Sequence, residues 1–312
     1  MPDLSVIVVS YNARAYLRRC LDDLAASAMA DGVTLETIVV DNGSTDGSVE
    51  MLGAWEPTLV VVRNDANVGF AAANNQGLAL ARAPFALLLN SDAFIQSSVM
   101  RRALALLRER DRTGMVGVRL LNLDGSLQAE AGRFPTFWDD VRASIGLDRL
   151  GRRRDGAHSS HGPVDWVQGA CMFVSMDAVR DVGGLDTRFF MYSEEVDWCR
   201  RFWNAGWSVW HEPGLAVTHV GGGSSQDYDT ARRSALYRSR VGFRRVLDGP
   251  ALSALLWLVI VTGLALRIPM RWAAQVVTRR PIGRQTPQSD FALLWAIVRT
   301  DPLARWTTSE VI

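Results

Sequence analysis

Two groups of side chains in this sequence can carry chemistry. The first is the run Tyr192-Ser193-Glu194-Glu195-Val196-Asp197. Three carboxylates within four positions repel one another unless they are solvated, paired with cations or partly protonated. On a helix, Glu194 and Asp197 share a face at i, i+3, while Glu195 points elsewhere. Such a cluster suits a general base at a helix start, and Phe189-Phe190-Met191-Tyr192 just before it offers a dry wall that tunes a carboxylate. An acidic first turn that complements the helix dipole is the structural alternative. The second group lies where apolar runs stop: Ser10-Tyr11-Asn12, Asp41-Asn42-Gly43-Ser44 and Asn90-Ser91-Asp92. Ligands of open α/β sheets bind at the carboxyl edge of the strands. A single Asp there is often a cap or turn former. Three stops that each deliver a carboxylate or an amide point to a ligand site.

These residues need strands and helices to place them. The apolar, β-branched run at residues 4–9 reads as a buried strand, and further strands are expected at residues 35–40, Leu59–Arg63 and 85–89. Between them, helical spacing covers residues 13–26 with Asn12 as cap, residues 48–55 and 71–81, and residues 97–110 follow. Strand and helix alternate for about 110 residues, which predicts an α/β fold with a mostly parallel sheet and helices on both faces. The pattern then changes. Strands are expected at 115–120, 126–131 and 166–174, helices at Met176–Val182 and 194–205, and a strand at 209–220 interrupted by Pro213. Residues 146–163 read as a polar, Arg- and Gly-rich loop. No GxGxxG follows the first strand and no GxxxxGK[ST] occurs, so dinucleotide and P-loop readings lose their main support.

Composition bounds the rest. With 312 residues, 48% of them apolar, the chain can bury a large core. Its net charge of +1 argues against a uniformly basic nucleic-acid binder. The basic residues are all Arg, which we read as composition bias. Cys20, Cys171 and Cys199 lie far apart, which fits a reducing compartment and no disulfide framework. The opening Met-Pro-Asp lacks the basic start of a signal peptide. Residues 1–229 hold 21 Arg against 29 acidic residues, a net of −8, whereas residues 230–312 hold 13 Arg against 4, a net of +9. We therefore expect a soluble body at 1–229, divided into 1–112 and 113–229, and a basic helical extension at 230–312. Residues 251–266 are almost wholly apolar. At roughly 1.5 Å each they cover about 24 Å against about 30 Å of hydrocarbon, so shallow or re-entrant insertion is expected over a clean span.

Several motifs occur in a fixed order. They are Val8-Val9-Ser10-Tyr11-Asn12; Val39-Val40-Asp41-Asn42-Gly43-Ser44; Asn67-Val68-Gly69-Phe70 with Asn74-Asn75-Gln76-Gly77; Leu88-Leu89-Asn90-Ser91-Asp92; Trp166-Val167-Gln168-Gly169-Ala170; Gly183-Gly184-Leu185-Asp186; Glu194-Glu195-Val196-Asp197; and His219 before Gly221-Gly222-Gly223. Together, over residues 4–225, they resemble the family 2 glycosyltransferases of the nucleotide-diphospho-sugar transferase (GT-A) fold, and among them the rhamnosyltransferase-like branch of bacterial polysaccharide synthesis.

The resemblance implies roles. Asp41 would accept from the imide N–H of a uracil or thymine base. Ser10, Tyr11, Asn12, Asn67, Gly69 and Asn74 would line the donor pocket, with Asn90 and Ser91 beside the diphosphate. Asp92 would bind Mg²⁺ or Mn²⁺, and His219 can complete that site. The family's first metal Asp is Asn90 here. Glu195 stands where the family usually places an Asp as base, and Glu194 and Asp197 remain alternatives. Trp166, Gln168 and Tyr192 would contact acceptor or sugar. The reaction would be one inverting displacement. It would move a sugar, rhamnose among the candidates, from a UDP- or dTDP-linked donor to a glycan or polyprenyl-linked acceptor at the cytoplasmic face of the inner membrane. A catalytically silent nucleotide-sugar-binding scaffold is the runner-up. A nucleotidyltransferase would want a basic glycine-rich loop after the first strand, which residues 10–14 do not supply.

Overall fold

The computed structural model describes residues 1–55, 58–128, 131–145, 161–221, 229–278 and 287–299. The chain divides into two compact units. The first holds Met1–Phe134, Arg154–Thr187 and Glu194–Ser224; the second holds Pro135–Arg153, Arg188–Ser193 and Ser225–Ile312.

The first unit is built on β1 (Leu4–Ser10), α1 (Arg14–Asp31), β2 (Leu35–Asp41), α2 (Ser48–Leu52), β3 (Leu59–Arg63), α3 (Phe70–Leu80), β4 (Phe85–Asn90), β5 (Ala93–Ile95), α4 (Val99–Glu109), β6 (Thr113–Leu121) and β7 (Ala131–Gly132). After α5 (Phe137–Ser144) of the second unit come β8 (Gly162–Pro163), β9 (Trp166–Val167), β10 (Cys171–Ser175), α6 (Met176–Val182), α7 (Glu194–Asn204) and β11 (Ser208–His219). The central sheet runs β3-β2-β1-β4-β10-β6-β11-β5, with β8 pairing β11. Strands β1 to β4, β6 and β11 share one direction, and β5, β8 and β10 run against it. The sheet is thus mixed, with a parallel half that matches the expected α/β alternation. Side chains alternate along β1: Leu4, Val6 and Val8 join one core with Leu17, Leu21 and Leu24 of α1. Ile7 joins the other core with Ala71 and Ala73 of α3 and with Trp198, Cys199 and Phe202 of α7. α3 lies so close to β1 that a Cβ at Gly77 would overlap Ile7 Cγ2.

Several local expectations are corrected. Asn12 does not cap α1: the helix starts at Arg14 with no side-chain cap, and Asn12, at φ 49°, accepts from Thr45 N through Oδ1 at 2.8 Å. The strand expected at 166–174 is broken at 168–170 into β9, which pairs with β7, and β10, which joins the main sheet. Of the strand expected at 126–131, Leu127 makes a single bridge to Leu121 and only Ala131–Gly132 forms a strand. Pro213 does not interrupt β11, because a bulge between Glu212 and Ala216 absorbs the missing N–H. The loop at 146–163 falls mostly outside the described residues. All three cysteines are free and buried, and burial pushes the Cys199 thiol up to about 12.

In the second unit, α5 starts with a capping box between Thr136 and Asp139. It packs with α8 (Asp229–Asp248), α9 (Pro250–Thr278) and α10 (Pro287–Val298). Tyr237, Leu256, Ile260, Leu264, Leu293 and Ile297 form its core. Arg244 Nε binds Asp140 Oδ2 at 2.6 Å, and buried Asp290 receives Arg233 at 2.9 Å and Arg271 at 2.7 Å. The length estimate for the apolar run is overturned here. Arg267 closes the wholly apolar run but not the helix: its guanidinium donates to Ser144 O and α9 continues past it. The apolar stretch Pro250–Ala273 has 24 residues, a mean hydropathy of 2.1 and only 22% of its window buried. At about 1.5 Å per residue it spans about 36 Å, enough to cross a bilayer by length. One such helix passes that test by length and composition alone, as the core helix of a soluble protein also can.

Candidate active site

Parallel pairing aligns the strand ends. Ser10 lies opposite Asp41, and Val9 opposite Asn90. Asp41 is 1% exposed. Its Oδ2 accepts from Ser44 N at 2.9 Å, while its Oδ1 is buried with no partner, as is Ser10 Oγ. A buried acceptor left unpaired costs about 1–3 kcal/mol, so Asp41 Oδ1 is poised for an incoming donor. Asn42 braces the turn that follows. Its Nδ2 donates to Asn67 Oδ1 at 3.2 Å and to Gly69 O at 3.3 Å, and its Oδ1 accepts from Asn64 at 2.9 Å. Asn64 and Gln76 exchange two bonds of 2.9 Å. Gly43, at φ 79°, passes so close to Ala66 that a Cβ would lie 3.0 Å from its Cα. Tyr11 is exposed at the rim. Asn74 sits inside α3 and donates to Phe70 O at 2.9 Å.

Asn90 ends β4, Ser91 and Asp92 follow it, and His219 ends β11. His219 Nε2 stands 3.3 Å from Asp92 Oδ1 and 3.3 Å from Asn90 Nδ2. Ser91, Asp92 and His219 are buried. Two donors bound side by side to one small octahedral cation lie about 3 Å apart, so this pair fits two corners of a divalent-cation site. Among the described residues no group of three or more His, Cys, Asp and Glu could hold a metal ion. The remaining ligands would come from a bound diphosphate and water.

The carboxylates of α7 separate by environment. Asp197 Oδ2 accepts from Arg201 Nε at 2.8 Å, and the same guanidinium donates to Val182 O and Gly184 O at 2.9 and 2.8 Å. Asp197 therefore anchors α7 to the glycine turn. Glu194 is 5% exposed, and burial, with the Glu195 charge beside it, pushes its carboxyl well above the ordinary range. Glu195 is half-buried, and its Cβ and the Phe70 ring both border Gly169. Gly169 sits in the break between β9 and β10, and its neighbour Ala170 accepts from Asn90 N at 3.0 Å. The break thus brings Glu195 toward the strand end that carries Asp92. Gln168 lies in the same break, half-buried. Trp166 packs on the core and donates to Arg133 O at 2.8 Å. Tyr192 belongs to the second unit, where its hydroxyl accepts from Arg232 at 3.1 Å.

A family model described as Glycosyl transferase family 2 matches residues 5–182. The chain belongs to that family. This glycosyltransferase is 28% identical over 234 residues to an N-acetylglucosaminyl-diphospho-decaprenol L-rhamnosyltransferase of Mycobacterium tuberculosis, covering 69% of this chain and 75% of the relative. It is also 28% identical over 295 residues to a pre-mycofactocin glycosyltransferase of the same organism, covering 90% of this chain and 57% of the relative. The mannosyltransferase PcManGT from Pyrobaculum calidifontis, solved with GDP-Man and Mn²⁺, matches its fold with a TM-score of 0.55 at 17% identity, over 95% of this chain and 85% of that one. S. aureus TarS 1-349, solved with UDP-GlcNAc, matches with a TM-score of 0.54 at 15% identity, over 84% and 71%. The fold is GT-A-like.

The glycosyltransferase also uses polar residues to which the sequence alone assigns no role. Asn42 and Gln76 lie inside the quoted motifs; Asn64 and Gln128 lie outside them. Asn75 exchanges two bonds with Leu185, at 2.7 and 2.8 Å, and so ties α3 to the glycine turn. One stability effect follows from Glu194. Its folded-state pKa is raised, so its contribution is full below the unfolded value and is lost as pH rises toward the folded one. The loss runs at up to about 1.4 kcal/mol per pH unit. Glu194→Gln removes that cost. The melting temperature of the variant is expected to decline less than that of the wild type as pH rises above the ordinary carboxylate range; parallel declines in a thermal-shift series would refute it.

Proposed function

We propose that this glycosyltransferase moves a sugar, with rhamnose the first candidate, from a UDP- or dTDP-linked donor to a hydroxyl of a polyprenyl-linked glycan, with inversion. The observation that carries the reading is Asp41 Oδ1, a buried acceptor without a partner, on the sheet edge that also bears the Asp92–His219 pair. Asp41 accepts from the imide N–H of the base, which selects uracil or thymine. Ser10, Asn12, Asn67 and Gly69 shape the pocket around it. Asp92 and His219 hold Mg²⁺ or Mn²⁺, which when bound supplies positive charge against the diphosphate leaving group. Glu195 takes the proton of the acceptor hydroxyl. The acceptor oxygen forms its bond to the anomeric carbon as the bond to the phosphate oxygen breaks, and the nucleoside diphosphate leaves with that electron pair. The relative named for a decaprenol-linked substrate supports the acceptor class.

The second unit supports a place at the cytoplasmic face of the membrane. Leu255, Leu258, Leu266, Met270 and Trp272 of α9 and Phe291 and Trp295 of α10 are exposed, and residues 230–312 carry a net +9. Apolar side chains and Arg together suit anionic lipid, at about 1 kcal/mol per Arg near the surface.

The test pairs donors with a polyprenyl-diphosphate glycan on anionic vesicles. Transfer from a dTDP- or UDP-sugar, lost on chelation of divalent metal, is expected, with an inverted linkage in the product. The full chain should sediment with the vesicles and be released only in part by high salt. Retention of configuration would defeat the mechanism, and a monodisperse chain that ignores vesicles would defeat the membrane reading.

A further inference from the structure

The imidazole of His219 has a second contact behind it. Its Nδ1 lies 2.8 Å from Gln128 Oε1. The other contacts of Gln128 decide which way its amide faces. Nε2 donates to His219 O at 2.6 Å and to Asn122 Oδ1 at 2.7 Å. A backbone carbonyl only accepts, so the end of the amide that meets it is NH₂ and the end that meets Nδ1 is oxygen. That oxygen also only accepts, so Nδ1 carries a proton. The backbone pins Gln128 in place: its N–H donates to Leu120 O at 3.0 Å, just after a turn closed by Asn122 N to Ser126 O at 2.8 Å.

We propose that Gln128 is a positioning residue that commits His219 to its Nδ1–H form and turns the Nε2 lone pair toward Asp92, as a ligand for a divalent cation. The proposal rests on the assignment of the cation to Asp92 and His219 and adds the group that orients one of them. When the ring is neutral, the Gln128 contact leaves Nε2 as the acceptor, 3.3 Å from the Asp92 carboxylate in a buried site. Two acceptors set against each other away from water are relieved by a cation between them. An outer partner on the far ring nitrogen fixes both the orientation and the basicity of a metal-binding histidine. Nothing in the local pattern around residue 128 signals this role, because the two residues are 91 positions apart.

Two variants of the full chain test it. Gln128→Met keeps the volume without an acceptor, and Gln128→Ala removes both. Mn²⁺ binding is measured by calorimetry, in parallel series with UDP and dTDP. Both variants are expected to weaken Mn²⁺ binding by about 10- to 100-fold, the usual cost of losing such a partner. Nucleotide affinity without metal should not move. Nitrogen NMR of the histidine-labelled protein, which has 4 histidines, should show an Nδ1–H signal for His219 in the wild type and not in Gln128→Met. Wild-type Mn²⁺ affinity in Gln128→Met, with His219→Ala weakened, overturns the role of Gln128 and leaves the cation site standing. An unchanged Nδ1–H signal in Gln128→Met also overturns it. Wild-type affinity in both His219→Ala and Asp92→Asn removes the cation site itself. If Gln128→Ala does not fold, Gln128→Met carries the comparison.

Discussion

Glu195→Gln is expected to lower turnover by about 10²-fold or more, the usual scale for loss of a general base, while nucleoside diphosphate binding persists. The half-buried Glu195 side chain starts beside Gly169, which adjoins the residue that pairs with Asn90. Glutamine matches glutamate in size but cannot take a proton, so a loss confined to kcat marks the base. The neighbours give the contrast. Glu194 is buried with its carboxyl pushed toward the protonated form, so Glu194→Gln changes little in charge and should leave most turnover. Asp197 is held by Arg201, so Asp197→Asn should show first as lost stability through a loosened α7. If Glu194→Gln alone loses turnover with binding intact, the base is one position earlier.

Asp92→Ala is expected to have the largest effect on metal dependence. It removes the one carboxylate of the Asp92–His219 pair and leaves His219 alone against the diphosphate. Loss of a preorganised charge-stabilising group costs about 10²–10³-fold, and a carboxylate of the proposed cation site belongs at the upper end or beyond. Turnover should be undetectable at ordinary enzyme concentrations. Nucleoside diphosphate binding should lose its dependence on Mn²⁺ and keep the weaker component contributed by Asp41. His219→Ala should fall between Asp92→Ala and the wild type. Wild-type turnover in Asp92→Ala would take that residue out of the site.

Much of the parallel half of the sheet is legible in the sequence. The runs ending at Ser10, Asp41 and Asn90 are largely apolar, each stops at a polar residue, and both signals are local. Parallel pairing then puts these ends side by side, as the alternation of strand and helix requires. The ordered motifs point to the family that the match over residues 5–182 bears out. The local pattern is weaker where a residue has two uses. Asn12 reads as a helix cap, yet it spends its amide on Thr45, 33 positions away. Pro213 reads as a break, yet a bulge accommodates it.

The sequence by itself determined the four parallel strands β1 to β4, about where each ends and which polar residues stand at their edge. It did so because periodicity and turn chemistry act within a few residues. The tertiary structure decided what each of those residues does. Only packing shows that Asp197 belongs to Arg201, that Glu194 is shut from water, and that Glu195 faces the break at Gly169. Only packing brings Gln128 to His219 across 91 positions and Asn75 to Leu185 across 110. In the second unit, spacing reads α9 as apolar on every face, whereas its neighbours bury Leu256, Ile260 and Leu264 and leave Leu255 and Leu258 exposed. The physical reason is common to all of these. A side chain's partner, its burial and hence its protonation depend on groups brought close by the whole fold, and no window of neighbouring residues contains them.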